Sequence, residues 1–169
     1  KHLAEQYLKY TELNWTIFRP SLIFGDPRGN NRPEFCTQLK KDMLGLPIPA
    51  PNFHKGLNPL DAGKFAMSPI NVKDVASFFV KSIDMEASFK KTYHLGGVAY
   101  YWKDIIQTIA KAYGKNKWTI PAPAIAIQIV ASLLGRFSWF PISKDQLTML
   151  VEGNVCESDK TFELFKIEP

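Results

Sequence analysis

The sequence predicts an α/β fold, and three observations carry that reading. Two short β-prone runs, Trp15–Phe18 and Thr92–Leu95, each stand next to a segment with apolar residues at helical spacing. Clusters of Gly, Pro and Asn separate these helix-strand pairs and punctuate the chain. The composition, 46% hydrophobic and 13% aromatic over 169 residues, supplies enough apolar surface for one packed core. No repeat and no linker interrupts it, so residues 1–169 are read as a single folding unit.

The elements follow in order. Leu3, Ala4, Tyr7 and Leu8 share one face of an amphipathic helix that opens at Lys1. The strand Trp15–Phe18 comes next and Pro20 stops it, because proline has no N–H for the ladder. The turn formers of Gly25–Pro33 predict a surface loop. A second helix is punctuated by Pro33 at its first position, Glu34 in its first turn, Lys40 and Lys41 later and Gly45 beyond its end, with Phe35, Leu39 and Met43 on one face. Residues 46–64 read as irregular covering chain with a short extended piece at 46–48. Asn71 is the expected N-cap of a helix whose apolar face is Val75, Phe78 and Phe79, extending to Val80 and Ile83. Gly96-Gly97 ends the strand Thr92–Leu95, and Ile105, Ile106, Ile109, Ala110 and Tyr113 form the next helix before Gly114. An edge strand is expected at Lys117–Ile120, an apolar helix at Pro123–Leu134 and a last helix behind the capping box Ser143–Gln146, with Leu147, Leu150 and Val151 inward. The remainder reads as a tail.

Several function classes drop out. The formal charge of +5 comes from scattered Lys and Arg without a basic run interleaved with aromatics, so no nucleic-acid partner is expected. Cys36 and Cys156 have neither metal-ligand nor redox spacing, and His2, His54 and His94 lack partners at catalytic or metal spacing; no metal is assigned. No secretory signal is present, which predicts a cytoplasmic location. Pro123–Leu134 is well short of the roughly 20 apolar residues that span a bilayer. It reads first as a buried helix. With Arg136, Phe137, Trp139 and Phe140 behind it, contact with the inner-membrane surface or a protein complex is the alternative, and a homodimer stays open. A chain that starts on Lys rather than Met is expected to be a fragment.

Lys1 followed by Ala4-Glu5, the strand with Arg19-Pro20 and the closing Phe24-Gly25, and the segment Ser68–Ala76 together resemble the extended and atypical short-chain dehydrogenase/reductases, the NAD-dependent epimerase/dehydratase family. The resemblance implies the C-terminal part of a Rossmann-type doubly wound parallel sheet plus a small, mostly helical substrate-binding subdomain. It further implies a cofactor, NAD or NADP, held mainly by an N-terminal half with a glycine-rich turn that lies outside this chain. Lys1 matches the lysine of the family's Tyr-x-x-x-Lys pair, which lowers the tyrosine pKa from about 10 and hydrogen-bonds the nicotinamide ribose; the tyrosine would lie upstream. Pro20, Ser21, Leu22 and Ile23 match the segment beside the nicotinamide, and Phe24, Arg28, Arg32 and Ser68 match positions around a small-molecule substrate. Where nucleotide-sugar members often carry an arginine, Met67 and Ser68 stand, which counts against a nucleotide-sugar substrate. Arg19 is either a substrate contact or the partner of a helix carboxylate. The residues from Leu150 to Val155 and Phe162 to Pro169 resemble the branch containing the dehydrogenase-like accessory subunit of respiratory complex I. Two functions follow: hydride transfer by the full protein, with this chain alone inactive, or a non-catalytic NAD(P)H-binding accessory subunit.

Overall fold

The computed structural model describes residues 2–26, 28–29, 34–45, 47, 49–56, 58–127, 129 and 152–168. Lys1, Arg32, Pro33 and the whole stretch from 130 to 151, with its expected last helix, lie outside the described residues. The fold is mixed α/β with parallel strand pairs, as the alternation of elements predicts.

Strand β1 (Thr16–Pro20) runs parallel to β6 (Lys91–Leu95), with Phe18 opposite Tyr93 and Pro20 opposite Leu95. Beyond Pro20 the chain makes β2 (Ile23–Phe24), parallel to β5 (Ile70–Asn71). A third parallel pair joins β3 (Ala50–His54) to β8 (Thr119–Pro123), and β4 (Ala66–Met67) pairs antiparallel with β7 (Tyr100–Tyr101). Helices α1 (His2–Lys9), α2 (Phe35–Leu39), α3 (Val72–Ser82), α4 (Trp102–Ala112) and α5 (Asp159–Phe165) accompany these strands, with short 3-10 turns at Pro59–Asp61 and Glu86–Ser88.

Two hydrophobic clusters hold these elements. The first gathers α4, α2, β3 and β8 around Trp102, Phe53 and Ile106, all about 1% exposed. Trp102 stacks on Phe65 at 5.6 Å and its indole N–H donates to the Pro51 carbonyl at 3.3 Å, so the largest buried side chain also satisfies its one polar group. The second cluster joins α3, α5, β5 and β6 through Ile70, Phe78, Leu95, Phe162 and Phe165.

Sequence and structure agree where period and cap coincide. The Asn71 side chain accepts from Lys73 N at 2.9 Å and starts α3 as expected. In α4, Ile105, Ile106, Ile109 and Ala110 are all buried. Leu39 is buried, with Phe35 and Met43 packed beside it.

Elsewhere the structure corrects the reading. The expected face of α3 is narrower: Val75 and Phe78 are buried, whereas Val80 and Ile83 are exposed and Phe79 only touches the Phe18 ring at 5.1 Å. Leu3 and Tyr7 of α1 are also exposed; an apolar stripe records what a helix can bury, not whether a partner is there. Glu34 is the N-cap of α2 rather than a first-turn residue, and a π-turn over Lys40–Leu44 carries the helix to Gly45. The stretch read as irregular contains β3, hidden by Pro49 and Pro51; Pro51 is tolerated because it lies in a two-stranded pair. Strand β8 continues to Pro123, so Pro123 ends a strand instead of opening a helix, and a helical turn follows at 124–127. The supposed tail contains α5, whose Phe162 and Phe165, one turn apart, are buried. Lys166 closes that helix in the left-handed region, and the Lys81 ammonium donates to the Phe165 carbonyl at 3.0 Å.

Candidate functional site

The carboxyl ends of parallel strands are where open α/β sheets place their ligands. Here β1 and β6 end together at Pro20 and Leu95, and Ser21 N donates to the Leu95 carbonyl at 2.7 Å. The Leu22 carbonyl then accepts from Ile70 N at 2.9 Å, so Pro20–Phe24 passes along this edge into β2 as a strand-like segment. Its side chains are half-buried or, for Ile23, exposed. Gly25 turns the chain away in the left-handed region at φ 115°, close to Val72 Cγ1 and Asn71 at the start of α3. Arg19 forms an ion pair with Glu5, and this bond and the Glu5 charge raise the arginine pKa. Of its two expected roles, the carboxylate partner is therefore the observed one, and it ties α1, the helix after Lys1, to β1.

Segment 154–158 closes part of this edge. The Asn154 carbonyl accepts from the Ser21 hydroxyl at 3.0 Å and from Ser68 N at 2.8 Å. Ser68, 1% exposed, in turn accepts from Cys156 N at 3.4 Å. Farther along, the Ser158 hydroxyl accepts from Gly96 N at 2.8 Å and donates to the His94 carbonyl at 3.0 Å. Gly96 is required there, since a Cβ would collide with Cys156 Sγ.

Beside this segment lies a cavity of about 700 Å³. His54 and Lys55 at the carboxyl end of β3, Asp61 and Lys64 from the following loop, and Glu152 and Asn154 supply its polar wall. Lys64 and Asp61 pair at 3.3 Å. His54 is 5% exposed and its Nδ1 has no hydrogen-bond partner among the described residues, as is true of Asn52 Oδ1 two residues earlier. A buried polar atom left unpaired costs on the order of 1–3 kcal/mol, so such atoms commonly await a ligand or water.

The structure thus brings Pro20, Ser21, Leu22, Ile23, Phe24 and Ser68 to one edge. Arg28 sits apart, exposed on the loop with φ 47°, its N–H bound to Asp26 Oδ1 at 2.9 Å. Sequence reasoning missed His54 and Asn154. The signal for His54 was the alternation of Asn52 and His54 about Phe53, masked by the neighbouring prolines; Asn154 gave none, because its part is played by its carbonyl.

Glu34 anchors the far side of the loop. Burial pushes its carboxyl up, but hydrogen bonds from Cys36 N, Thr37 N, the Thr37 hydroxyl and Gly25 N outweigh this and hold it at about 2. The folded value lies below the ordinary 4.5, so this stabilisation is complete above pH 4.5 and is lost as pH falls towards 2. Glu34→Gln is expected to cost about 1–2 kcal/mol at neutral pH. In urea melts the gap between variant and wild type should narrow progressively below about pH 4.5.

Comparisons with known proteins agree on the fold. No family model matches the chain. Over 106 residues it is 26% identical to the photosystem II assembly factor Ycf39 of Synechocystis, covering 59% of this chain and 32% of that protein. Among solved structures it resembles UDP-glucose 4-epimerase from Thermotoga maritima, with a TM-score of 0.63 at 14% identity, over 99% of this chain and 45% of that one. It also resembles UDP-glucuronic acid 4-epimerase from Bacillus cereus, solved with UDP-glucuronic acid and NAD, with a TM-score of 0.58 at 16% identity, over 99% of this chain and 44% of that one. The chain spans under half the length of these two epimerases and about a third of Ycf39. Its Rossmann-like α/β fold is the one these epimerases share.

Proposed function

We propose that this chain is the substrate-side part of an NAD(P)-dependent dehydrogenase/reductase or epimerase-like protein that acts by hydride transfer on a small molecule. The observation that carries the reading is the carboxyl edge of β1 and β6, where Pro20–Phe24 stays partly exposed and is joined, through the Ser21 hydroxyl and the Asn154 carbonyl, to the wall of a cavity with polar side chains. The residues present suit the group: exposed Ile23 and half-buried Phe24 offer apolar contacts for a planar ring at this edge, and their pairing with Ile70 and Asn71 keeps them in place. When bound, the nicotinamide supplies the hydride acceptor or donor. Lys1, which precedes the helix that Glu5 and Arg19 tie to β1, would hold the ribose and favour the ionised form of a tyrosine four residues upstream. Arg28 and Arg32 would face the substrate from the loop after β2, and Ser68 would support its pocket through segment 154–158.

His54 gives the test. In the complete polypeptide, His54→Phe is expected to leave NAD(P)H affinity unchanged within about twofold and to lower substrate-dependent NAD(P)H oxidation by at least tenfold, because only the cavity loses a polar group. Unchanged oxidation would remove the cavity from the reaction.

The similarity to Ycf39, named as an assembly factor, favours a second reading: a non-catalytic NAD(P)H-binding accessory subunit of a larger assembly, such as that of respiratory complex I. It predicts tight dinucleotide retention without oxidation of any substrate.

A further inference from the structure

From Ile105 to Lys144 the sequence has no Asp or Glu, while Lys111, Lys115, Lys117, Arg136 and Lys144 fall within it. This run therefore accounts for the whole formal charge of +5. Its described part is unusual in a second way. Trp118, just beyond Lys115 and Lys117 and one residue before β8, is 81% exposed, and Ile120 on β8 is 50% exposed. In the helical turn that follows, Ala124 and Ile127 pack into the first core cluster, yet Ile125 and Ile129, one turn apart, are 70% and 59% exposed. A segment whose inner side already fills a core has no need of isoleucines on its outer side; apolar residues all round imply a second apolar partner.

We propose that this surface docks on an anionic lipid bilayer. Exposed Trp and Ile flanked by lysines, in a stretch whose own sequence carries no acid, is the chemistry of an interfacial segment: the aromatic and aliphatic side chains enter the headgroup boundary and the ammonium groups meet lipid phosphates. A protein partner would ordinarily place some carboxylates in so long a run, whereas a negative membrane surface repels every one of them. Among the described residues no helix is long and apolar enough to cross a membrane, so the contact lies along the surface. The docking surface is separate from the cavity wall at His54 and does not depend on the catalytic reading.

Sedimentation of the chain with phosphatidylcholine vesicles, with and without roughly 30% phosphatidylglycerol, tests this, since each lysine near such a surface is worth about fivefold in partitioning. Binding is expected only to the anionic vesicles and to weaken as salt rises. K111Q/K115Q/K117Q is expected to bind on the order of a hundredfold more weakly, and Trp118→Ser with Ile125→Ser on the order of tenfold more weakly. Lys111, Lys115, Trp118 and Ile125 are exposed and Lys117 is half-buried, so circular dichroism should match wild type and melting should stay within a few degrees of it. No binding to anionic vesicles, equal binding to neutral ones, or variants that bind like wild type would overturn the proposal. So would lipid-independent dimerisation that shields Trp118 from a fluorescence quencher, since a second copy would then be the occupant.

Discussion

Replacing Trp102 with alanine is expected to destabilise the chain by about 3–5 kcal/mol, the usual loss for a large aromatic removed from a core. Trp102 is 1% exposed, stacks on Phe65, leans on Phe53 and donates to Pro51 in β3. Without the indole the Pro51 carbonyl loses its partner and β3 loses its backing, so the strand that carries His54 into the cavity should loosen. Thermal melting followed by circular dichroism should fall by about 10 °C for a chain of this size. Trp102→Phe separates the two contributions: it keeps most of the packing and removes the donor, and should cost about 1–2 kcal/mol. If Trp102→Ala melts within a few degrees of wild type, the first cluster is not the core that organises the cavity.

Phe78→Ala should be comparably severe, about 3–5 kcal/mol, for a different reason. Phe78 is fully buried and meets Phe162 at 5.0 Å, Phe165 at 5.2 Å and Phe18 at 6.0 Å. It is the residue through which α3, β1 and α5 hold one another. Each aromatic pair adds about 0.5–1.5 kcal/mol beyond area burial, and all three are lost together. Because α5 is short, it has little stability apart from this cluster. Amide exchange across Asp159–Phe165 should therefore rise well before exchange across α4, whose core is the other cluster. Segment 154–158, which precedes α5 and binds Ser21, Ser68 and Gly96, should open with it. Equal acceleration in α4 and α5 would mean the two clusters unfold as one unit.

These two residues also show why some of the fold was legible in the sequence and some was not. Helix α4 could be read because Ile105, Ile106, Ile109 and Ala110 repeat at helical spacing and Gly114 follows. The start of α3 could be read because a cap is a local device, made by Asn71 and the N–H two residues on. The carboxyl edge at Pro20 was equally local, since a proline closing a β-prone run marks where the strand gives way. What escaped was whatever depends on distant chain. Strand β3 has no alternating pattern of its own and exists through β8, about seventy residues later, by its register of Ala50 on Thr119. Helix α5 offers only Phe162 and Phe165 as a signal, too little to separate a helix from a tail. The exposure of Leu3 and Tyr7 could not be foreseen for the converse reason, because amphipathicity is local and its partner is not. The cavity was the least legible feature: its wall is drawn from β3, the 61–64 loop and residues 152–155, and its most telling group, His54, stands in a segment that reads as irregular.

The most direct test of the proposed function is titration of NADH and NADPH into the complete polypeptide that contains this chain, followed by calorimetry and by amide NMR shifts. One dinucleotide should bind with a dissociation constant on the order of micromolar, about −8 kcal/mol. The nicotinamide-induced shifts should fall at Ser21 to Phe24 on the carboxyl edge of β1 and β6, and the 169-residue chain alone should retain no dinucleotide. No dinucleotide binding, or binding whose shifts leave Ser21–Phe24 unmoved, would contradict it.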